Sequence, residues 1–284
     1  MTTTLNPPPA TTPPPEQRPA SGASRVVAII AIVVGAVVIL GAISSAVSAT
    51  IAAASVHTSS RTVAVSGVNE LSVDVSVDSL RVEFGSVSEA ELEVNGSAGA
   101  DTWTFDRDGD RLTVASPNWF GGWFSWGWFD DDRGGNAVLR LPAALAGVDA
   151  DLTLSAGELV VEDGEFGDLE IDLNAGRFDV KGSADSVAAN MNAGRGDLEI
   201  ADAGSASLTV RAGTLDAELT GAQPDSVEAD VSAGSLQLTV PEGEYDVTSD
   251  VSAGGFDNRI GSSAGASSTI HVKASAGQIV LRTR

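Results

Sequence analysis

The side chains of this chain that could do chemistry are carboxylates and indoles. Three residues after a series of glycines stand Asp179, Asp197, Asp216, Gln237 and Asp257. On neighbouring strands these carboxylates would lie about 5 Å apart, close enough to repel unless water, a cation or a basic neighbour intervenes. Arg177 and Arg195 precede the first two by two residues and share their face. Calcium would need six or more converging oxygens, and no GGxGxDx-type calcium loop is present. The column reads as a solvated face, with no metal ligand set and no cofactor. The chain has no Cys, which removes thiol nucleophiles, disulfides and Cys-ligated metals together. Its only histidines are His57 and His271, and no activated serine marks a Ser-His-Asp triad. Paired carboxylates do cleave polysaccharides, so a carboxylate-based glycosidase or lyase is the alternative reading. Short uniform turns leave such a reaction little cleft, and the main reading is a protein without catalysis. Arg195-Gly196-Asp197 spells the tripeptide known from integrin ligands, but it falls inside a strand pattern and reads as coincidence.

The indoles are concentrated. Residues 118–132, NWFGGWFSWGWFDDD, carry Trp119, Phe120, Trp123, Phe124, Trp126, Trp128 and Phe129, four of the five Trp and three of the eight Phe. Fully exposed, they would form an apolar patch larger than soluble monomers usually carry. The segment reads as a cap over the end of a core, as a recognition loop offering Trp faces to sugars or partners, or as an interfacial foot on a membrane. It is expected to be partly packed and partly a contact surface.

The elements that must position these residues come from a repeat. The units SAGELVV, NAGRFDV, NAGRGDLEI, RAGTLDAEL, SAGSLQLTV, SAGGFDN and SAGQIVL place Gly157, Gly176, Gly194, Gly213, Gly234, Gly254 and Gly277 at spacings of 19, 18, 19, 21, 20 and 23. Within a unit the apolar residues alternate: Leu169, Ile171 and Leu173 before Gly176, then Phe178 and Val180 after it. Period two means β-strand with one face buried. Each unit is strand, Ala-Gly corner, strand, turn. One unit cannot bury its apolar face alone, so successive units must stack. The expected fold is an all-β parallel β-solenoid, or β-helix, of ~20-residue coils. Upstream, Asp78 stands at the glycine position of a degraded unit running from Leu71 to Phe84. The residue before each Ala-Gly reads Ser155, Asn174, Asn192, Arg211, Ser232, Ser252 and Ser275. Stacked, these would hydrogen-bond along the column or simply face water.

Before the repeat lies a different composition. Residues 1–24 are rich in Pro and Thr and cannot build a core. Residues 26–43 carry no charge, and a helix over Val26–Val47 would be about 33 Å long, enough to cross the hydrocarbon core. This predicts one transmembrane α-helix, read as an uncleaved anchor in preference to a signal peptide. Arg18 and Arg25 put the tail inside. The formal net charge is −23, and all of the acidic excess lies beyond residue 25. Such a surface repels phosphate backbones, so no nucleic-acid partner is expected.

At the repeated [SN]-A-G-x-[LF]-x-[VAL] units, over Val63 to Leu281, the chain resembles the putative-adhesin family of bacterial β-strand-repeat envelope proteins, a family of largely unknown function. The resemblance implies a cell-envelope location and no catalytic residues. The expected organisation is a cytoplasmic tail (1–24), a transmembrane helix (25–49), a linker (50–62) and an extracytoplasmic β-repeat domain (63–284) with an aromatic insertion (118–134). The expected partners are the lipid bilayer, through Val26–Val47, and a cell-wall polymer or another envelope protein. The expected role is that of an adhesin or an envelope-sensing scaffold in the cell membrane.

Overall fold

The computed structural model describes residues 57–76, 78–96, 100–117 and 136–284. The expected tail and membrane segment, most of the linker, and the aromatic insertion lie outside these residues. Among the described residues the chain is all-β, with two short 3-10 turns, and no helix is long and apolar enough to cross a membrane. Ser55–Arg284 forms one compact unit.

The strands are β1 (His57–Val63), β2 (Glu70–Val75), β3 (Ser79–Gly85), β4 (Ala90–Gly96), β5 (Thr104–Asp108), β6 (Arg111–Ala115), β7 (Asn136–Pro142) and β8 (Val148–Leu154). There follow β9 (Glu158–Leu173), β10 (Arg177–Met191), β11 (Arg195–Ala201), β12 (Ser205–Thr220), β13 (Ser226–Val240), β14 (Tyr245–Val251), β15 (Gly255–Asn258), β16 (Ser268–Ala274) and β17 (Gln278–Thr283). The long strands β9, β10, β12 and β13 each pair with one long strand along both halves and with two further strands, one to each half.

The pairings arrange the strands in two columns. The first runs β6, β2, β8, then the second halves of β9 and β10, the first halves of β12 and β13, then β16 and β14. Every pairing in it is parallel. The second runs β1, β4, β7, β3, the first halves of β9 and β10, β11, the second halves of β12 and β13, then β17 and β15. It is parallel except where β4 joins β1 and β7. The repeat sets the register: Asp179 pairs with Asp197, Asp197 with Asp216, and Asp216 with Gln237. Alternation holds strand after strand. In β8 every second residue is buried, in β12 the same alternation holds on either side of the corner at 211–214, and Leu173, Val180, Leu215, Leu238 and Leu281 are fully enclosed. Each such side chain contributes about 1.5–3 kcal/mol by leaving water.

The expected one-after-another order holds in the middle and fails at both ends. The coil β2–β3 lies between the later β6–β7 and β8–β9. The last coil, β16–β17, lies between β13 and the earlier β14–β15. Asp78 does occupy the glycine position, but it stacks directly against Gly157, because the intervening strands β4 to β7 lie on the other side of β2–β3. That end is closed by antiparallel strands, with β5 beside β6 and β4 beside β7, and by the buried Trp103. β5, β6 and β7 carry no Ala-Gly corner, and β4, which leads into Ser97-Ala98-Gly99, pairs antiparallel with β7 in place of the parallel stacking that the repeat implies.

Candidate functional site

The corners of the coils form a column of their own. The glycines stack backbone on backbone: Arg177 N–H donates to the Gly157 carbonyl at 2.9 Å, and Arg195 N–H to that of Gly176 at 3.0 Å. A Cβ on Gly176 would collide with the Gly157 carbonyl oxygen, and φ is +106° there, so side-chain-bearing residues are excluded twice. The preceding polar residues do bond along the stack. Asn192 Nδ2 donates to Asn174 Oδ1 at 2.8 Å, and Arg211 donates to Asn192 Oδ1. At the far end the Ser76 N–H donates to Ser116 Oγ at 2.8 Å.

This column locates the aromatic insertion. In the regular coils three residues join the two strands, as in 155–157 between β8 and β9. In the outermost parallel coil β6 ends at Ala115 and β7 starts at Asn136. The departing chain is held at Ser116, whose N–H donates to the Asp74 carbonyl at 2.9 Å. The returning chain is held at Asn136, in register with Ser79 and Asn95. Trp119, Phe120, Trp123, Phe124, Trp126, Trp128 and Phe129 lie outside the described residues, between these two fixed points. The remaining indole, Trp103, is 3% exposed, and its carbonyl accepts a bond from Arg61 at 3.1 Å.

The outer face of the second column is a lattice of opposite charges. Arg140 contacts Glu93 at 2.9 Å and Glu83 and Glu91 at 3.8 Å each. Its hydrogen bond, seconded by one from Asn95, holds the Glu93 carboxyl below its ordinary value, and the same bond raises Arg140. The acidic column beside it is relieved by neighbours: Arg177 reaches Asp197 at 2.9 Å and Gln237 reaches Asp216 at 2.9 Å. Asp257 does not join that column, because the displaced β17 sets Val280 between it and Gln237. Arg259 pairs with Asp257 instead, at 2.7 Å.

Two shallow grooves cross the outer surface. One, of about 370 Å³, has Gly164 and Gly182 among its lining and is flanked by Asp163, Glu165, Lys181 and Glu199. The other, of about 350 Å³, is lined by Glu70, Asp149, Asp151, Asp168 and Glu170. Ser186 donates to Asp168 at 2.6 Å, and Asp149 accepts the Asp168 N–H at 2.9 Å. Their carboxylates stand in contact with water, without the pairing of a buried acid beside a solvated one that glycoside hydrolysis uses. Among the described residues no three His, Asp or Glu converge as metal ligands. His271 sits on an outward position of β16, its Nδ1 3.0 Å from Thr248 Oγ1. The grooves suit hydrogen bonding to a polar ligand.

No protein-family model matches the sequence, and no curated protein matches it. Solved structures do. A putative adhesin from Bacteroides fragilis superposes with a TM-score of 0.51 at 15% identity, covering 80% of this chain and 97% of its own. That protein has the same fold. A putative cell adhesion protein from Clostridium sporogenes gives 0.34 at 10% identity, covering 81% of this chain and 100% of its own. A putative lipid binding protein from Parabacteroides distasonis gives 0.36 at 10% identity, covering 80% and 97%. At these identities the likeness to the Bacteroides fragilis protein speaks to fold alone.

Proposed function

We propose that this chain is a membrane-anchored, extracytoplasmic parallel β-solenoid that works as a non-catalytic binding scaffold of the cell envelope. The stack is the support and the insertion at residues 118–134 is the contact surface, directed at a cell-wall polymer or another envelope protein. The observation that carries this reading is the place of the insertion. The chain keeps a three-residue corner in its regular coils and departs from it in the outermost parallel coil, where it spends four of its five Trp. Trp is among the residue types that most often anchor recognition surfaces. The name of the Bacteroides fragilis protein of like fold, putative adhesin, accords with a binding role. The resemblance of the repeat to envelope proteins and the uncharged run at residues 26–43 support the location.

The test is a pull-down. The unit Ser55–Arg284 is presented to isolated cell-wall and membrane fractions beside a variant in which Pro117–Gly134 is replaced by a short Gly-Ser turn. The unit is expected to be retained and the variant to be lost at unchanged melting temperature. Equal retention of both would remove the insertion from the binding surface.

A further inference from the structure

The coil order at the C-terminal end is a consequence of side-chain chemistry. The inward residues of β16–β17 are Ser268, 5% exposed, and Ile270, Val272, Ala274, Ile279 and Leu281, each at most 1% exposed. Those of β14–β15 are Tyr245, Val247, Ser249, Val251, Phe256 and Asn258, and of these only Tyr245, at the start of β14, is buried. Strict chain order would bury Ser249 and Asn258 and leave the more apolar coil at the open end. Burying polar groups without partners is costly, so the apolar coil sits inside and the polar one serves as the cap. The chain therefore has a slot, floored by β13 and roofed by β14–β15, that its own last segment enters from beyond the roof.

That last segment differs in charge from the rest. Ser268–Arg284 carries Lys273, Arg282 and Arg284 and no carboxylate side chain, in a chain of net charge −23. The slot is acidic on both sides: Glu228 and Asp230 lie on β13, and Asp246, Asp250 and Asp257 on the cap. Lys273 meets Asp230 at 3.3 Å, and Arg284 meets Glu218 at 3.2 Å. The segment is joined to the cap by residues 259–267, RIGSSAGAS. Gly261 and Gly265 take φ near +80° with nothing around their Cβ positions. This connection is clipped to the free edge of β14 by few bonds: Ser263 N–H to the Tyr245 carbonyl at 2.8 Å, Val247 N–H to Ser262 Oγ at 2.9 Å and Gly265 N–H to Asp246 at 3.0 Å.

From this we infer that the slot accepts Ser268–Arg284 from a second copy of the chain, giving a two-fold dimer by reciprocal exchange of the terminal coil. The slot and coil keep every contact they have within one chain, so exchange costs only what the connection loses on straightening, a low-cost route to dimers. The cationic coil is also the part of a second copy that an otherwise repelling acidic surface attracts.

Ser235 and Gln278 are register partners across β13 and β17, and the chain has no cysteine of its own. Full-length Ser235→Cys and full-length Gln278→Cys are mixed in detergent, warmed to open the end of the stack, cooled and oxidised. Exchange predicts a disulfide-linked heterodimer several-fold above either variant oxidised alone. It also predicts that deleting Ser262–Ala266, which prevents closure within one chain, raises that fraction further. The double variant Ser235→Cys/Gln278→Cys establishes that the two positions meet. If it forms its internal disulfide while the mixture stays at the control level, with and without the deletion, exchange is overturned. If it forms none, the intercalated register fails and the inference with it.

Discussion

At Gly176 and Gly109 the same substitution should have different costs. Both have positive φ, +106° and +64°, but a Cβ at Gly176 meets the Gly157 backbone, whereas at Gly109 it meets open space. Gly109→Ala carries conformational strain alone, about 1 kcal/mol. Gly176→Ala adds a clash with backbone that two neighbouring coils hold in place, for a total of roughly 3 kcal/mol or more. Chemical denaturation of the two variants should separate them by that margin, and equal midpoints would refute the stacked corner. The glycine column was legible in the sequence because the repeat prints it. So was the assignment of Asp78 to a glycine slot, where it is buried, but not its place in the stack: the spacing puts about four units between it and Gly157, which it in fact contacts directly. The relief of the acidic column was half legible: Arg177 was in view, but Gln237 reaching back to Asp216 depends on a register that only the pairing supplies.

Among the strands, alternation announced which face of each is buried, and the pairing of β9 through β13 followed from the spacing. The order of the outer coils did not. Interchangeable Ser-Ala-Gly units pair equally well with any neighbour, so the repeat cannot encode sequence order. At the C-terminal end the information lies in Ser249 and Asn258, which break the inward apolar pattern and mark β14–β15 as a cap. Tyr245, the only tyrosine of the chain, reports on that cap. It is 2% exposed, its hydroxyl lies 3.0 Å from the Pro241 carbonyl, and burial pushes its phenol up to about 12. A folded value raised above the ordinary one of about 10 favours the neutral form. Its contribution to stability is therefore complete below pH 10 and lost as pH rises through about 12. Absorbance titration of the phenolate should give a midpoint near 12, and a midpoint near 10 would mean that the cap leaves Tyr245 in water.

At the scale of the whole molecule, an acidic surface bounds the partners and the stack gives the support. The facing ion pairs of the second column are exposed to water and contribute little each, so they set solubility and register more than stability. The apolar interior carries the fold, and it has little to do with recognition, which is why fold and function were unequally legible. Seven repeats declared the architecture, while one aromatic segment, without internal pattern, declared only its composition. The central claim is that this segment is the contact surface. Trp103→Phe leaves indoles in residues 119–128 alone, so the emission of that variant reports on the insertion without interference from the core. Acrylamide quenching of the variant, before and after addition of the wall or membrane fraction retained in the pull-down, tests the claim most directly. The account predicts strong quenching in the free protein and protection once the fraction is added. Blue-shifted, quencher-resistant emission with no fraction present, or quenching that saturating fraction leaves unchanged, would contradict it.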